Sequence, residues 1–533
     1  MKEVQKYQTF NHNLRLSRRD FLKTTGALGI TVGLSPLLKA ASNDKPKKMN
    51  IVIITTDDND AESLGCFGCQ LPDITPNMDA LASKGFRFEH AHACSPTCQP
   101  CRLSLMTGRY PQTNGAVGHG DPIRADLPTL ATTLTKAGYY TAIVGKIGNY
   151  LPYPSFDWSK DKDSKGGWLS ADTWDDASDG YWSMWRSPEG FYKGTKELVS
   201  EAKKEKKKFF LHLNTSDPHR PWPGSVDEVN HMARMSNSKR RMPSLRPYPK
   251  NYSPWEVPVP PYLPDLAGVR VDVAQYYSGL HNADKAVGRI LDALKEEGVY
   301  EDTIIICFGD QGASLPTSKQ NLYRYSTRIP LIIRWPGMKE GAVIDKTMVS
   351  VIDIMPTILD SLDIEVKDMD GQSILPLLEG KTDSCREYIQ TSYNYALPGV
   401  QAFPMRAVQN KEYLYIYNGW CGESNINPKG RLFYNGEPLN GLCWKSMVEA
   451  ARSDKELKKR VDFIEQRVPE EFYDLTKDPF CLNNLISDPS QKDMVQSFKK
   501  LVENQMIETN DPLLEKFKGT GPIPPEWLTF TEV

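Results

Sequence analysis

The chain has 533 residues, 39% of them hydrophobic, and its 65 basic residues nearly balance 67 acidic ones. This length exceeds one ordinary core, so we expect two domains or one large domain with a satellite. The balanced charge argues against nucleic acid as a partner, and an anionic ligand would have to be met by a local basic pocket.

The N-terminal residues 1–41 carry the features of an export signal. Two adjacent arginines, Arg18 and Arg19, precede a short apolar stretch at 24–38 that is broken by Pro36. This pattern resembles a twin-arginine signal, which exports folded proteins, and predicts a periplasmic location. The alternative is a short buried helix after a basic patch. No apolar run reaches the ~18 residues that span a membrane, so we expect no transmembrane segment.

Strands that are buried on both faces alternate with helices over residues 42–385. The runs 49–56 and 303–308 are β-branched or apolar almost throughout, as strands of a parallel sheet are. Helices are predicted at 77–84, 127–137 and 273–297, with Gly298 as a C-cap, and a further strand at 140–144. The alternation predicts an α/β domain with a large, mostly parallel sheet between helices and a site at the carboxyl edge of that sheet.

Two insertions and a change of composition complete the predicted organisation. Residues 151–191 contain five of the eleven tryptophans, and the proline-rich run 243–264 is predicted to be a stiff surface connection. From about residue 386 the chain has shorter, Tyr-rich runs such as 412–417 and a last helix near 494–506. We therefore predict a smaller antiparallel α+β domain at 386–533.

Three cysteines lie close together at Cys94, Cys98 and Cys101. Only Cys98 is followed by Pro at +2 and by Arg at +4, which is Arg102. The spacing of the three also suits an iron–sulfur cluster of a radical enzyme, a zinc site or simple structural thiols. The motif alone leaves these interpretations open.

Acidic pairs follow the two buried strands. Asp57 and Asp58 end the first strand, and Asp310 and Gln311 follow the second. Three carboxylates and a carboxamide are hard oxygen ligands that suit Ca²⁺ or Mg²⁺. The alternative for either pair is an ordinary turn at a strand end.

Taken together, these motifs resemble the sulfatases of the alkaline-phosphatase superfamily, and among them the sulfamidases, which are heparan N-sulfatases. The resemblance covers nearly the whole chain after the signal. The matching segments are 56–58, Cys98-x-Pro-x-Arg102 with 107–108, 145–146, 217–220, 257–264, 310–312, 321–323, 404–406, 472–475, 478–479, 484–485 and 508–512.

The resemblance implies an alkaline-phosphatase-like fold and roles for nine residues. Cys98 would be oxidised by a maturing enzyme to formylglycine, whose hydrate is the nucleophile toward sulfate. The modified Cys98 would bind one Ca²⁺ with four further residues, Asp57, Asp58, Asp310 and Gln311. Arg102 and Lys146 would hold the hydrate and a sulfate oxygen, His219 would protonate the leaving group, and Lys319 would contact the sulfo group. The alternatives are a structural loop histidine for His219 and a surface lysine for Lys319.

The sequence also departs from the sulfatase pattern. Gly148 stands where sulfatases carry a histidine that completes turnover, and His119 is the residue that could substitute. Gln311 replaces the commoner Asn, which also offers a carbonyl oxygen. Cys101 occupies a position usually held by Ser or Ala, which bears on recognition by the maturing enzyme.

The expected function is that of an exported, Ca²⁺-dependent sulfatase acting on N-sulfoglucosamine of heparan- or heparin-type glycans. An O-sulfatase and a catalytically impaired sulfosugar-binding protein are the alternatives. The expected partners are the sulfated saccharide and the maturing enzyme, with no nucleic acid. The resemblance leaves a homodimer open.

Overall fold

A seven-stranded, mostly parallel sheet forms the larger layer of the fold. It is seen in a computed structural model that describes residues 48–522 except for 151, 160–185, 223–224, 226–247, 249, 396–401, 422–425, 428–429 and 432–436. The strands of this part of the chain are β1 (Asn50–Thr56), β2 (Phe86–Phe88), β3 (Ala91–His92), β4 (Tyr140–Val144), β5 (Phe209–Thr215), β6 (Thr303–Gly309), β7 (Leu331–Arg334), β8 (Ala342–Ile344) and β9 (Val349–Ser350).

The strand order places β1 at the centre of this sheet. The order is β4-β5-β1-β6-β7-β2-β8, and β3 pairs separately with β9. Strands β4, β5, β1 and β6 are parallel, and β7 is antiparallel to both of its neighbours. The register pairs Thr56 with Thr215 on one side and with Gly309 on the other. The residues that follow β1, β5 and β6 therefore emerge at one edge.

Helices cover both faces of the sheet, because successive residues of a strand point to opposite faces. Val52 and Ile54 pack in one core with Val273 and Leu280, whereas Ile51 and Ile53 pack in another. The helices are α1 (Pro76–Ser83), α2 (Cys98–Thr107), α3 (Pro111–Asn114), α4 (Leu130–Lys136), α5 (Pro188–Lys204), α6 (Ala267–Glu296), α7 (Arg324–Thr327), α8 (Ile354–Ser361), α9 (Leu375–Leu378), α10 (Leu442–Ala450), α11 (Lys455–Gln466), α12 (Lys492–Glu508) and α13 (Leu514–Phe517).

A second, antiparallel sheet forms the C-terminal layer. Its strands are β10 (Ile389–Tyr393), β11 (Met405–Gln409), β12 (Tyr413–Asn418) and β15 (Glu470–Asp474), in the order β10-β11-β12-β15, and the short strands β13 (Ile426–Asn427) and β14 (Gly430–Arg431) pair with each other. Helix α12 packs Phe498 and Val502 against Tyr415 and Phe472. The predicted fold class, a mixed and mostly parallel sheet between helices with a smaller antiparallel sheet, is confirmed. The predicted boundary at residue 386 stays a prediction.

Other predictions about the chain have different outcomes. The proline-rich run is irregular where it is described, but Tyr252 and Tyr262 are buried, so it packs against the core rather than lying only on the surface. The predicted signal at 1–41 and most of the Trp-rich insertion lie outside the described residues. Among the helices of the described ranges, none has the length and apolar content needed to cross a membrane.

Candidate active site

The two acidic pairs meet at the carboxyl edge of the large sheet. Asp57, Asp58, Asp310 and Gln311 are all fully buried. The backbone N–H of Asp58 donates to Asp310 Oδ1 at 3.0 Å, which joins the two strand ends. Asp58 has a φ of 62°, a left-handed conformation that Asp tolerates better than most residues. The sheet register thus brings together the four side chains that the sequence predicted to be ligands.

Cys98 is the first residue of α2 and faces the same cluster. Its Sγ lies 3.3 Å from Asp57 Oδ1 and 3.1 Å from Gln311 Nε2. Cys94 and Cys101 pack instead in the hydrophobic core on one face of the sheet. Among the described residues, the group able to hold a metal includes Cys98 but neither of the other two cysteines. The iron–sulfur and zinc interpretations of the three cysteines therefore have no support in the geometry.

Arg102 lies one helical turn after Cys98 and on the same face of α2. Its Nε donates to Asp310 Oδ2 at 2.9 Å, and its Nη2 lies 2.7 Å from that oxygen and 3.8 Å from Asp57 Oδ2. Its Nη1 donates to Asn214 Oδ1 at 2.5 Å. Asn214 was missed in the sequence, although a polar residue within the apolar strand β5 was a usable signal.

Two lysines complete the basic side of the site. Lys146 has a φ of 54° and follows Gly145, which has a φ of 75°. This turn brings Lys146 Nζ into an ion pair with Asp57 Oδ2. Lys319 Nζ lies 3.0 Å from Asp58 Oδ1 and 3.1 Å from Asp58 Oδ2, and the side chain is 1% exposed. Lys319 is therefore not a surface lysine.

Burial and the neighbouring charges shift the pKa values of the acidic groups. Burial acts to raise the pKa of Asp57, but Lys146, His219 and Arg102 hold it well below 3.8. Burial and the charge of Asp57 raise the pKa of Asp310 to about 7. Burial and Asp57 also raise the pKa of the Cys98 thiol well above 9.0. The unmodified Cys98 is thus a neutral thiol at neutral pH, which is a weak nucleophile.

His219 reaches the cluster from the segment after β5. Asp57, Asp58, Cys98 and His219 each offer one potential ligand atom, and these atoms all lie within 4.8 Å of one another. The sequence predicted Asp310 and Gln311 as ligands, and His219 for proton transfer. Asp310 lies beside this group, where its two oxygens accept hydrogen bonds from the Asp58 backbone and from Arg102.

The donor set fits a hard divalent cation. Gln311 Nε2 lies 2.5 Å from Asp58 Oδ1, and Gln311 Oε1 is buried without a hydrogen-bond donor. The orientation of a side-chain amide is inferred from its hydrogen-bond partners. Rotating the Gln311 amide by 180° exchanges Nε2 and Oε1, so that Oε1 points at the carboxylates. A cation among Asp57, Asp58 and the Gln311 oxygen would satisfy all three.

A buried network holds the His219 segment in place. Arg186 Nη2 donates to the His219 carbonyl at 2.7 Å, and its Nη1 pairs with Asp217 Oδ1. The hydroxyl of Tyr248 and the Nδ2 of Asn282 each donate to Asp217 at 2.7 Å. Arg186, Tyr248 and Asn282 were missed because they come from distant parts of the chain. Asp217 itself belongs to a segment that carried the family resemblance.

His119 lies next to the turn that follows Lys146. Its Nε2 is 3.3 Å from Asn149 Nδ2, and a Cβ built on Gly148 would meet no atom within 4 Å. The loop that carries His119 is fixed to Gln99, the neighbour of Cys98, because the N–H of Gly120 donates to Gln99 Oε1 at 2.8 Å. His119 thus contacts the turn after Lys146, and the loop that carries it is tied to the helix that begins at Cys98.

Comparisons with known proteins agree with this arrangement. A family model described as Sulfatase matches residues 49–364, and one described as N-sulphoglucosamine sulphohydrolase, C-terminal, matches residues 317–419. Human N-sulphoglucosamine sulphohydrolase is 26% identical over 489 residues, which cover 88% of this chain and 92% of that protein. An ulvan-active sulfatase from Formosa agariphila is 24% identical over 501 residues, covering 91% and 85%.

The fold also matches solved structures. The structure of BT4656 in complex with its substrate D-glucosamine-2-N,6-O-disulfate aligns with a TM-score of 0.60 at 20% identity, covering 89% of this chain and 99% of that chain. At this identity the likeness concerns the fold alone. The expected alkaline-phosphatase-like architecture is confirmed by such neighbours.

Proposed function

Because the chain belongs to the sulfatase family, we propose that it is a Ca²⁺-dependent enzyme that releases sulfate from N-sulfoglucosamine at the end of heparan- or heparin-type glycans. One observation supports the proposal above all: Cys98 and the Asp57–Asp58 pair lie together at one buried edge of the sheet. Three basic side chains lie at the same edge, those of Arg102, Lys146 and Lys319. Action on a sulfated sugar is supported by two relatives whose names contain an amino sugar, N-sulphoglucosamine sulphohydrolase and N-acetylglucosamine-6-O-sulfatase. The preference for N-sulfate is supported by the C-terminal family match at 317–419 and by the name of the human relative.

The mechanism depends on one modification and one metal ion. Formylglycine formed from Cys98 would supply, as its hydrate, the hydroxyl nucleophile toward the sulfo group. Asp57, Asp58, Asp310, Gln311 and residue 98 would hold Ca²⁺, whose positive charge would favour ionisation of that hydroxyl. His219 also offers a nitrogen to the same group of atoms. The other steps belong to the side chains of the chain itself.

The basic residues bind the sulfo group and compensate its charge. Lys146 and Arg102 lie on the Asp57 side of Cys98, and Lys319 lies on the Asp58 side. All three are held by buried carboxylates, so they are oriented before substrate arrives and lose little freedom when it binds. Lys319 acts here as a point charge, where the resembling sulfamidases place a forked guanidinium.

Two histidines move protons on opposite sides of the reaction. His219, held through its carbonyl by Arg186, donates a proton to the departing amine of the amino sugar. Gly148 occupies the position where sulfatases carry a histidine, and His119 takes over the role of that histidine. His119 accepts the proton that must leave residue 98 when sulfate is released. This role favours an enzyme over a binding protein that has lost turnover. His119→Gln is therefore expected to slow turnover more than it weakens sugar binding.

We further propose that the protein is exported by the twin-arginine route to the periplasm, after a maturing enzyme has modified Cys98 in the cytoplasm. The sequence at Arg18 and Arg19 supports this proposal. Stacking of tryptophans of the 151–191 insertion on a sugar ring stays a prediction from the sequence, and Trp158, which is 4% exposed, packs in the core. Most of that insertion lies outside the described residues.

A panel of defined saccharides tests the proposed substrate. Sulfate release would be measured from N-sulfoglucosamine, 6-O-sulfoglucosamine, a 2-O-sulfated disaccharide and an aryl sulfate. N-sulfoglucosamine is expected to have the highest kcat/KM. Cys98→Ala should abolish release, whereas Cys101→Ala, a buried thiol on the next turn of the same helix, should retain it.

The other outcomes of the panel identify the alternatives. Faster release from an O-sulfated sugar would make the protein an O-sulfatase and would leave the roles of Cys98 and the metal unchanged. Tight binding of sulfated sugars without any release, from protein whose residue 98 is modified, would identify a sulfosugar-binding protein.

A further inference from the structure

The loop that carries Lys319 is built in an unfavourable backbone conformation. Thr317 has a φ of 66° and Gln320 has a φ of 59°, and neither is a glycine. Such residues persist only where the surrounding structure holds them. The loop is also buried, since Thr317, Lys319 and Gln320 are each 2% exposed or less. Something outside the loop must therefore hold Lys319 against Asp58.

One support comes from the Cys98 side. The backbone N–H of Gln320 donates to the carbonyl of Pro96 at 3.0 Å, which ties the loop to the segment just before Cys98. A second support is Asn321, whose Nδ2 donates to the Lys319 carbonyl at 2.9 Å. Asn321 thus fixes the backbone of Lys319 itself.

Asn321 is in turn held by an arginine from the C-terminal part of the chain. Arg467 Nη2 donates to Asn321 Oδ1 at 2.7 Å, and Arg467 Nη1 donates to the hydroxyl of Tyr323. The Tyr323 hydroxyl donates to Glu471 Oε2 at 2.9 Å, and Glu471 lies on β15 of the antiparallel sheet. Arg467 is 6% exposed and Glu471 is fully buried. A charge-assisted path therefore runs from the smaller sheet to the backbone of Lys319.

We propose that Arg467 is a positioning residue for Lys319, through which the antiparallel sheet sets the geometry of the site. The proposal rests on the proposed function only in giving Lys319 a role at the sulfo group. A planar guanidinium can hold Asn321 and Tyr323 together, which the single ammonium of a lysine cannot reproduce. Loss of Arg467 removes the guanidinium donor to Asn321 Oδ1, and the strained loop then relaxes and moves Lys319 away from Asp58.

A double-mutant cycle tests this proposal on the best substrate of the saccharide panel. Arg467→Met is expected to lower kcat/KM by about tenfold in the wild-type background and by less than about twofold in the Lys319→Ala background. Equal fold-losses in the two backgrounds would overturn the proposal, because a residue that only supports the fold would act independently of Lys319.

Arg406→Met is the matched control. Arg406 is also buried and makes a bidentate pair, with Asp511, and its Nη1 donates to Asn394 Oδ1 at 2.9 Å. It belongs to β11 of the same antiparallel sheet. Arg406→Met should lower the stability of the protein. The factor by which it lowers kcat/KM should be the same in the wild-type and Lys319→Ala backgrounds.

Amide hydrogen exchange provides a readout that needs no activity. Exchange over residues 317–322 should rise in Arg467→Met and should stay at the wild-type level in Arg406→Met. The conservative variant Arg467→Lys should fold and should show the same rise, which covers the case in which Arg467→Met does not fold. Unchanged exchange over 317–322 in a folded Arg467 variant would overturn the proposal. The proposed function fails in a different way: wild-type protein would then release no sulfate from any substrate of the panel.

Discussion

The substitution Arg102→Met tests how the buried charges of the site are balanced. Three carboxylates, Asp57, Asp58 and Asp310, are in ion pairs or hydrogen bonds with the cations Arg102, Lys146 and Lys319. Arg102 contacts two of these carboxylates and is fully buried. Methionine has a similar length but no charge, so the variant keeps most of the packing and leaves the buried Asp310 without its cation, while Asp57 keeps Lys146.

The expected cost follows from this burial. Removing one partner of a buried ion pair typically costs about 3–5 kcal/mol, because the remaining charge is neither hydrated nor paired. Added Ca²⁺ supplies the missing positive charge, so it should stabilise the variant more than it stabilises the wild-type protein. A ligand that binds only the folded state adds stability in proportion to the logarithm of its concentration over Kd.

Urea denaturation of both proteins, in excess chelator and in excess Ca²⁺, measures these two effects. The difference in the free energy of unfolding between variant and wild type should be large in chelator and should become smaller when Ca²⁺ is present. A loss of less than about 1 kcal/mol in chelator, typical of exposed ion pairs, would refute the reasoning that the Arg102 pairs are buried and essential. A loss that Ca²⁺ does not reduce would refute the placement of the cation among these carboxylates.

Three further predictions concern metal, backbone and pH. Exhaustive chelation, or Asp57→Asn, should abolish sulfate release while circular dichroism stays near that of the native protein, and full activity of calcium-free protein would contradict the metal assignment. Gly145→Ala should reduce both stability and activity, because its Cβ would lie 2.1 Å from the carbonyl oxygen of Asn214. Gly138→Ala is the control, since Gly138 also has a positive φ but its Cβ would have no atom within 4 Å. This control should lose only the stability that backbone strain costs, and its activity should be unchanged. Burial and two nearby arginines lower the pKa of His90 from 6.5 to about 4, so the folded state loses stability as pH falls through this range. His90→Gln should remove that loss, and an unchanged difference in melting temperature between variant and wild type from pH 6.5 to 4 would contradict it.

The large sheet and the acidic half of the site were predictable because each depends on local sequence. The run 50–56 is apolar or β-branched almost throughout, which indicates a strand buried on both faces, and Asp57 follows it directly. The same holds for 303–309 and Asp310. Once both runs are assigned to one parallel sheet, their carboxyl ends must lie at one edge.

The supports of the site were not predictable, because they are pairings between residues far apart in sequence. Arg467 and Asn321 are separated by 146 positions, and Arg102 and Asn214 by 112. No local pattern distinguishes a buried Arg467 from a solvated one. The burial of Tyr262 within the proline-rich run has the same origin, since its ring stacks on Tyr325 at 4.0 Å between centroids.

The mass of the peptide that contains Cys98, taken from protein that releases sulfate, shows whether Cys98 is the modified residue. Conversion of the thiol to an aldehyde lowers the mass of this peptide by about 18 Da, as the oxidation chemistry requires. We expect this loss at Cys98, with Cys94 and Cys101 retaining their thiols. Active protein in which Cys98 is an intact thiol would rule out formylglycine at this position.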